Sequence, residues 1–192
     1  MVVRSLILWL VLAVLLPDPS AVAVGVARAS DPWQDDAALN DVCFLGRRLG
    51  WIAGEHGVLW ATRDEGTSWS LVGLPVGRNV SLRSVCFLTD QVGWVGGGTA
   101  GSPTVPSAGL VLQTTDGGRT WQDRSSGLPG VHHVRFFSLA EGIVAGDATS
   151  EHPTGVLVTR DGGRSWQDAP GPRQHGWRAA AFDSTSSGIV AG

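Results

Sequence analysis

A motif of the form Thr-x-Asp-x-Gly-x-(Ser/Thr)-Trp, called the Asp-box below, occurs three times in this chain, and its spacing constrains the fold more than any other feature. The copies occupy residues 62–69, 114–121 and 159–166, so their aspartates lie 52 and 45 residues apart. Each copy follows an apolar segment that contains a Phe and then Gly-(Trp/Ile)-(Ile/Val)-x-Gly. A fourth segment of this kind, at residues 180–192, follows the last copy, and the four phenylalanines are separated by 43, 49 and 46 residues. A turn-rich, strand-like repeat with a period in the forties is typical of the blades of a β-propeller.

Each repeat predicts four short antiparallel strands joined by tight turns, which is one blade. We therefore predict an all-β fold, a β-propeller of four-stranded antiparallel blades with Asp-box hairpins, present as an incomplete arc of three blades plus part of a fourth. The predicted segments are a signal peptide at 1–29, an N-terminal linker at 30–40, and a partial propeller at 41–192 with blades at about 41–75, 82–129 and 131–170 and a partial blade at 177–192. A ring of six or seven blades needs on the order of 300 residues at this period, so the sequence predicts a piece of a longer protein.

The first residues carry the pattern of a secretory signal peptide. Arg4 supplies a positive charge, residues 6–16 are an unbroken apolar run, and small residues lead to an Ala-Arg-Ala cleavage site that ends at Ala29. Cleavage after Ala23 is the alternative. The apolar run of eleven residues is too short to span a bilayer. The sequence therefore predicts an exported protein, periplasmic or extracellular.

An exported chain can form disulfides, and this chain contains two cysteines, Cys43 and Cys86. They occupy the same position in consecutive repeats. Equivalent residues on sheets packed face to face lie about 10 Å apart, whereas a disulfide needs Cα atoms within about 7 Å. We therefore favour two buried thiols, and the taper of blades toward the propeller axis keeps the disulfide open as the alternative.

The chemistry of the Asp-box predicts a structural role for its repeated residues. Its aspartate can accept hydrogen bonds from backbone N–H groups of its own turn. Its glycine supplies the positive φ that a hairpin needs, its hydroxyl residue can close the loop, and its Trp packs back over the hairpin. The aspartates look catalytic in sequence, yet each is explained as part of a turn. The predicted structural residues are Thr62, Asp64, Gly66, Ser68, Trp69, Thr114, Asp116, Gly118, Thr120, Trp121, Thr159, Asp161, Gly163, Ser165 and Trp166.

Blades two and three lengthen the turn between their second and third strands, at residues 98–108 and 147–154. The corresponding turn of the first blade is the short segment 55–57. Because both extensions occur at the same place in the blade, we expect them at the same end of the propeller, where variable loops commonly bind ligands. The candidate partner-binding residues in these loops are Gly98, Ser102, Thr104, Asp147, Glu151 and His152.

The sequence indicates no catalytic, cofactor-binding or metal-binding constellation. Glycosidase chemistry needs two carboxylates across a sugar, and the acids outside the Asp-boxes show no spacing that selects a pair. Those acids include Asp90, Glu141, Asp147, Glu151 and Asp183. The histidines lack the spacing of zinc ligands, and no cysteine pair supports them. A net charge of −3 argues against a nucleic-acid partner.

The order Val-x-Phe, Gly-Trp-x-x-Gly, Gly-(Val/Leu)-(Leu/Val) and Thr-x-Asp-Gly-Gly-x-Thr-Trp resembles the photosystem II assembly and stability factor family of Asp-box (BNR-like) propellers. The resemblance covers residues 41–192. It implies a non-catalytic exported scaffold, in the periplasm or the thylakoid lumen, that binds a protein such as a subunit of photosystem II or another membrane complex. Two features depart from the family: blades are missing, and the sequence shows no evident basic patch.

Asp-boxes also occur in sialidases and other glycoside-acting enzymes. The alternative is therefore a sialidase-like or other glycoside-acting or carbohydrate-binding propeller whose active site lies partly in missing blades. Sialidases use a tyrosine nucleophile, and this chain contains no tyrosine. Three tryptophans outside the repeated motifs, Trp33, Trp60 and Trp177, could stack on sugars or anchor a protein, but packing between blades is the favoured explanation. We expect a protein partner, no cofactor, and carbohydrate only under the alternative.

Overall fold

The computed structural model describes residues 36–102, 104, 107–171, 173 and 176–192. By its internal contacts the chain divides into residues 1–30 and 31–192, and all described residues belong to the second unit. The predicted signal peptide, with its cleavage sites at Ala23 and Ala29, lies outside the described residues, as does Trp33.

The described residues form three four-stranded antiparallel sheets and one two-stranded sheet, and in each sheet the strands follow one another in sequence order. The first sheet contains β1 (Leu39–Leu45), β2 (Leu49–Gly54), β3 (Leu59–Thr62) and β4 (Ser70–Leu71). The second contains β5 (Val80–Phe87), β6 (Gly93–Thr99), β7 (Ala108–Thr114) and β8 (Gln122–Asp123). The third contains β9 (Val131–Phe136), β10 (Gly142–Gly146), β11 (Val156–Thr159) and β12 (Gln167–Asp168), and the two-stranded sheet contains β13 (Ala179–Phe182) and β14 (Gly188–Ala191). This architecture confirms the predicted all-β class built from four-stranded antiparallel blades.

Two strands begin earlier than the sequence predicted. β1 begins at Leu39 and β5 at Val80, rather than at residues 41 and 82. In both strands the register shifts near the start, and the residue skipped by the pairing is Asn40 in β1 and Arg83 in β5. Such a bulge keeps the strand paired while interrupting the alternation of apolar side chains, and this alternation is the signal on which the sequence boundary depends.

Stacked aromatic rings join adjacent sheets. The indole of Trp51 on β2 lies on the ring of Phe87 on β5, with the ring centroids 3.6 Å apart and the planes 5° from parallel. Trp94 on β6 makes the same contact with Phe136 on β9, at 3.8 Å and 4°. In the first and second blades, the Trp of the second strand thus packs on the Phe of the next blade's first strand. These two pairs belong to the two apolar core clusters of the described residues.

A glycine beneath each of the two stacked Phe rings is a steric requirement of the same packing. Within a blade, the Phe ring of the first strand lies across the glycine with which it pairs on the second strand. A Cβ atom on Gly93 would lie 2.5 Å from the ring of Phe87, and one on Gly142 would lie 2.6 Å from the ring of Phe136. A side chain at either position would therefore displace the ring on which the preceding blade packs.

Both cysteines are free thiols, the state favoured from the sequence, although Cys43 is only partly buried whereas Cys86 is buried. Burial raises the pKa of both thiols. The thiol of Cys86 lies 3.9 Å from the carbonyl oxygen of Phe136 and donates weakly to it. Both groups therefore stay protonated at neutral pH, which makes them poor nucleophiles.

Two equivalent phenylalanines differ in exposure, and this predicts unequal effects of one substitution. Phe136 is 0% exposed, whereas Phe44, at the same position of the first blade, is 48% exposed. Phe136→Ala should lower the free energy of unfolding by about 3–5 kcal/mol, the usual cost of truncating a buried Phe. Phe44→Ala should cost less than half as much. Urea denaturation followed by tryptophan fluorescence measures both, and equal losses would contradict the dominant role of the buried stacked pair.

Candidate functional site

Polar side chains from equivalent positions of the four blades line a common cavity of about 430 Å³. These side chains are Asn40, Arg83, His132 and Arg178, and each lies four residues before the repeated Phe of its blade. Glu55, Asn79, Ser81 and Ala100 complete the lining. Because Glu55 and Ala100 lie in turns that join second and third strands, the cavity is at the end of the blades that carries the two extended loops.

A β-bulge turns three of these side chains out of the strand pairing. In β1, β5 and β9 the residues that the register skips are Asn40, Arg83 and His132. A bulge residue has no partner in the neighbouring strand, and the local kink re-aims its side chain. The cavity is therefore built from the same irregularity in three successive blades.

The cavity gathers basic side chains that lie far apart in the sequence. Arg83, His132 and Arg178 are separated by 49 and 46 residues, which are also the steps between the repeated phenylalanines. The sequence showed no evident basic patch, and the structure corrects this expectation, because a propeller places equivalent residues of successive blades side by side. Aligning the repeats on Phe and comparing the position four residues earlier would have found the cluster.

A chain of hydrogen bonds connects both extended loops to this cavity. Ser107 of the first loop donates its hydroxyl to Oδ2 of Asp147, at the start of the second loop, over 2.6 Å. Oδ1 of the same carboxylate lies 3.1 Å from Nε2 of His132. The side chain of His132 is 9% exposed and that of Asp147 is 32% exposed. The Asp147 carboxylate thus ties the two loops and the cavity together.

Trp177 fixes the position of Arg178 at the edge of the cavity. Its backbone N–H donates to the carbonyl oxygen of Gly146, and its indole N–H donates to the carbonyl oxygen of Thr154, both over 2.8 Å. The guanidinium of Arg178 then lies 3.4 Å from Nε2 of His132. Trp177 therefore fastens the second loop to the segment that enters β13.

The surroundings shift the titration of the two central groups. Burial lowers the pKa of His132, and the charges of Arg83 and Arg178 lower it further, against the opposing effect of the Asp147 carboxylate. Burial disfavours the charged form of Asp147, but hydrogen bonds from Ser107 and His132 outweigh this and lower its pKa. At neutral pH the cavity is therefore lined by two charged guanidinium groups and a mostly neutral His132, which contacts the ionised carboxylate of Asp147.

The candidate residues of the first loop lie in two environments. Gly98 is buried inside β6, so its assignment to the loop was wrong. Pairing continues past it because Thr99 still pairs with Ala108, which leaves residues 100–107 as the loop. Ser102 and Thr104 are exposed in that loop, with their hydroxyl oxygens 3.4 Å apart.

In the second loop, Asp147 contacts His132 of the basic cavity, whereas Glu151 and His152 lie elsewhere. Glu151 is exposed. Nδ1 of His152 lies 3.2 Å from Oδ2 of Asp168 on β12. Glu151 and His152 line a smaller cavity of about 240 Å³ between the two loops. The structure thus divides the predicted loop site into the basic cavity and a separate groove between the loops.

The first Asp-box is a closed turn held by its own side chains. Ser68 donates to the Asp64 carboxylate with its hydroxyl over 2.6 Å and with its backbone N–H over 2.9 Å. Thr62 donates its hydroxyl to the same carboxylate over 2.8 Å and accepts the backbone N–H of Gly66 over 3.0 Å. Gly66 has a φ of 85°, which favours glycine. The indole of Trp69 donates to the Gly66 carbonyl over 3.1 Å, so the whole motif serves the turn.

The other two Asp-boxes repeat this network, with Asp116 bound by Thr114 and Thr120 and Asp161 bound by Thr159 and Ser165. Gly118 and Gly163 have φ values of 91° and 87°. The indole of Trp121 donates within its own box, to Gly118, whereas that of Trp166 donates to the Arg124 carbonyl of the preceding blade over 2.9 Å. Hydrogen bonds from the following Ser or Thr are the main cause that lowers the pKa of each of the three aspartates to about 2.

These lowered pKa values predict the response of the fold to acid. An aspartate whose pKa falls to about 2 on folding contributes stability that is present above its unfolded pKa of about 3.9 and is lost as the pH falls through the folded value. The midpoint of thermal unfolding should therefore drop between about pH 4 and pH 2. Asp116→Ala should lower the midpoint at neutral pH by about 2–6 °C and weaken this acid dependence. Calorimetry measures both, with exposed Asp183→Ala as the control, and an unchanged acid profile in Asp116→Ala would contradict the structural role.

Within the described ranges, no group of three or more metal-ligating side chains is close enough to hold an ion. The same ranges contain no helix with the length and apolar character needed to cross a membrane.

The sequence matches no protein-family model and no curated protein. Solved structures do match. YCF48 bound to a D1 peptide superposes with a TM-score of 0.59 at 24% identity, over 77% of this chain and 45% of that one. YCF48 from Cyanidioschyzon merolae superposes with a TM-score of 0.52 at 24% identity, over 68% of this chain and 39% of that one. The chain has the fold of YCF48.

YCF48 is a photosystem II assembly factor with a β-propeller fold. The likeness therefore confirms the predicted propeller fold. The chain spans less than half of the length of the YCF48 chains that it matches. The three full blades and the two strands of the fourth thus correspond to part of a propeller.

Proposed function

We propose that this protein is an exported, non-catalytic propeller scaffold that binds an extended segment of a subunit of photosystem II or another membrane complex. The observation that carries the proposal is the cavity in which Arg83, His132 and Arg178 converge. Guanidinium groups form strong, often bidentate hydrogen bonds with carboxylates, so the cavity suits an acidic segment. The solved complex of YCF48 with a D1 peptide supports a peptide as the ligand.

The lining offers donors and acceptors together, which an extended peptide requires because its backbone carries both. Arg83 donates one N–H to the carbonyl oxygen of Val131 over 3.3 Å, and the guanidinium has further donors. The amide nitrogen of Asn40 donates to the carbonyl oxygen of Leu82 over 2.8 Å, while its oxygen can accept from a ligand. Glu55 adds a carboxylate acceptor.

The carboxylates of the described residues support a binding role over hydrolysis. A glycosidase needs a carboxylic acid whose pKa is raised so that it can protonate the leaving group. Asp64, Asp116 and Asp161 have pKa values of about 2, and the pKa of Asp147 is also lowered. These acids are ionised at neutral pH and engaged in hydrogen bonds, which disfavours the glycoside-acting alternative.

Peptide binding can be tested by fluorescence anisotropy with a labelled D1 peptide and with a designed peptide of Ala, Gly and four Glu residues. Arg83→Ala and Arg178→Ala should each weaken binding about 10-fold, a typical effect of removing one partner of a charged hydrogen bond. Arg119→Ala, which removes an exposed arginine in an Asp-box, should leave the affinity unchanged. Raising the salt concentration should also weaken binding.

Equal losses in Arg119→Ala and Arg83→Ala would mean that general charge, and not this cavity, attracts the peptide. If neither peptide binds at low salt, and the protein instead hydrolyses or binds a member of a panel of glycans and aryl glycosides, the carbohydrate alternative replaces the proposal.

Export predicts the start of the mature chain. When the full sequence is expressed in a bacterial host with an intact secretion system, the protein should be recovered from the periplasm or medium beginning at Ser30, because the Ala-Arg-Ala segment precedes it. Intact-mass measurement and N-terminal sequencing give the cleavage position. A start at Val24 would select the alternative site after Ala23, and a cytoplasmic product that keeps Met1 would contradict export.

A further inference from the structure

His132 is the histidine among the side chains that line the basic cavity. In blade order it stands between Arg83 and Arg178, and it lies at the β9 bulge. Histidine is the side chain whose charge ordinarily changes near neutral pH, whereas arginine stays charged throughout. His132 is therefore placed to vary the charge of a cavity whose guanidinium groups are constant.

Two neighbours of His132 make incompatible demands on the same ring nitrogen. Oδ1 of Asp147 lies 3.1 Å from Nε2, and this contact is a hydrogen bond when Nε2 carries a proton. NH1 of Arg178 lies 3.4 Å from the same Nε2, and the guanidinium can donate to it only when Nε2 has a free lone pair. One nitrogen cannot do both at once. A neutral ring therefore binds Asp147 in the tautomer with the proton on Nε2, or Arg178 in the tautomer with the proton on Nδ1.

Protonation of the ring resolves this competition. Uptake of a solvent proton places hydrogen on both Nδ1 and Nε2, so Nε2 donates to Asp147 and no longer accepts from Arg178. The N–H of Arg178 that donated to the ring is then released and can bind a carboxylate of a ligand. The cavity also gains one positive charge beside Arg83 and Arg178.

We propose that protonation of His132 strengthens the binding of an acidic peptide segment in this cavity, so that the scaffold holds its partner more tightly as the pH falls below neutral. The inference rests on the proposed function, since it concerns regulation of the same site. To that function the inference adds the residue that makes peptide affinity depend on pH, and the direction in which the affinity changes.

The charged groups around His132 determine whether the affinity rises or falls as the pH is lowered. Arg83 from β5 and Arg178 before β13 disfavour the imidazolium, while Asp147, held by Ser107, favours it. Glu55 lines the same cavity, and the neighbouring His133 faces the ring of Phe182 at a centroid distance of 6.0 Å. Because the pKa of His132 is lowered in the free protein, the proton is absent at neutral pH. A bound carboxylate raises that pKa, and by linkage the proton raises the affinity for the carboxylate.

The test measures the affinity for the Glu-containing peptide between about pH 5.5 and 8, where glutamate stays ionised. For the wild-type chain, affinity should rise about 3–10-fold from the upper to the lower end, because a shift of one pKa unit on binding corresponds to a tenfold change. His132→Gln, whose amide can still donate to Asp147, should bind with a nearly constant affinity. A matched peptide with Gln in place of Glu should show little binding and no pH dependence.

Two control variants separate the effect of His132 from that of its neighbours. His133→Gln removes the adjacent histidine and should keep the wild-type profile. Glu55→Gln removes the acid that lines the cavity. The rise in peptide affinity at low pH should remain in this variant. His132→Asn serves as a second non-titrating variant if His132→Gln does not fold.

A direct measurement on the wild-type chain completes the test. The Cε1–H resonance of His132, followed by NMR from about pH 5 to 8, should report a pKa that rises when the peptide is added. A profile in His132→Gln that matches the wild type, or a pKa of His132 that the peptide leaves unchanged, overturns the inference. If the peptide binds equally well at every pH, the inference fails while the proposed function stands. If it binds at no pH, both fail.

Discussion

Two flat aromatic pairs, Trp51 on Phe87 and Trp94 on Phe136, hold neighbouring blades face to face at 3.6 and 3.8 Å. Each pair needs a glycine beneath the Phe ring, because a Cβ at that position would meet the ring. The packing therefore fixes β5 against β2 and β9 against β6. The polar cavity lies at the ends of those first strands, so its geometry depends on this apolar contact.

The two ends of the blades perform different tasks with similar residue types. At one end, the Asp-box aspartates accept hydrogen bonds from the hydroxyl and N–H groups of their own turns. At the other end, Asp147 accepts from Ser107 of one loop and from His132 of the cavity. A carboxylate bound within its own turn stabilises a hairpin, whereas one that bridges two loops and a basic cluster can transmit a change at the cluster to both loops.

Local chemistry made the blade predictable from the sequence. The Asp-box turn follows from a short-range pattern, in which Thr62, Asp64 and Ser68 lie within one hairpin and bond to one another. The period of Phe and Gly-Trp predicted the sheets, because each repeat carries the same apolar contacts. The cavity was not predicted, because its residues differ between blades and share only a position. Gly98 was misplaced for a related reason: a run of small residues resembles a loop, yet backbone pairing continues to Thr99.

The bulge explains how this fold can vary its binding surface without losing its core. A residue within a paired strand must fit both its cross-strand neighbour and the next blade, which is why Phe recurs in every blade. The bulged residue has no cross-strand neighbour, and its contacts are polar: Asn40 donates to the carbonyl oxygen of Leu82 and Arg83 to that of Val131, both in the next blade. Asn40, Arg83 and His132 accordingly differ in size and charge at one structural position. The side chains that line the cavity are therefore carried at positions outside the stacked aromatic contacts that join the blades.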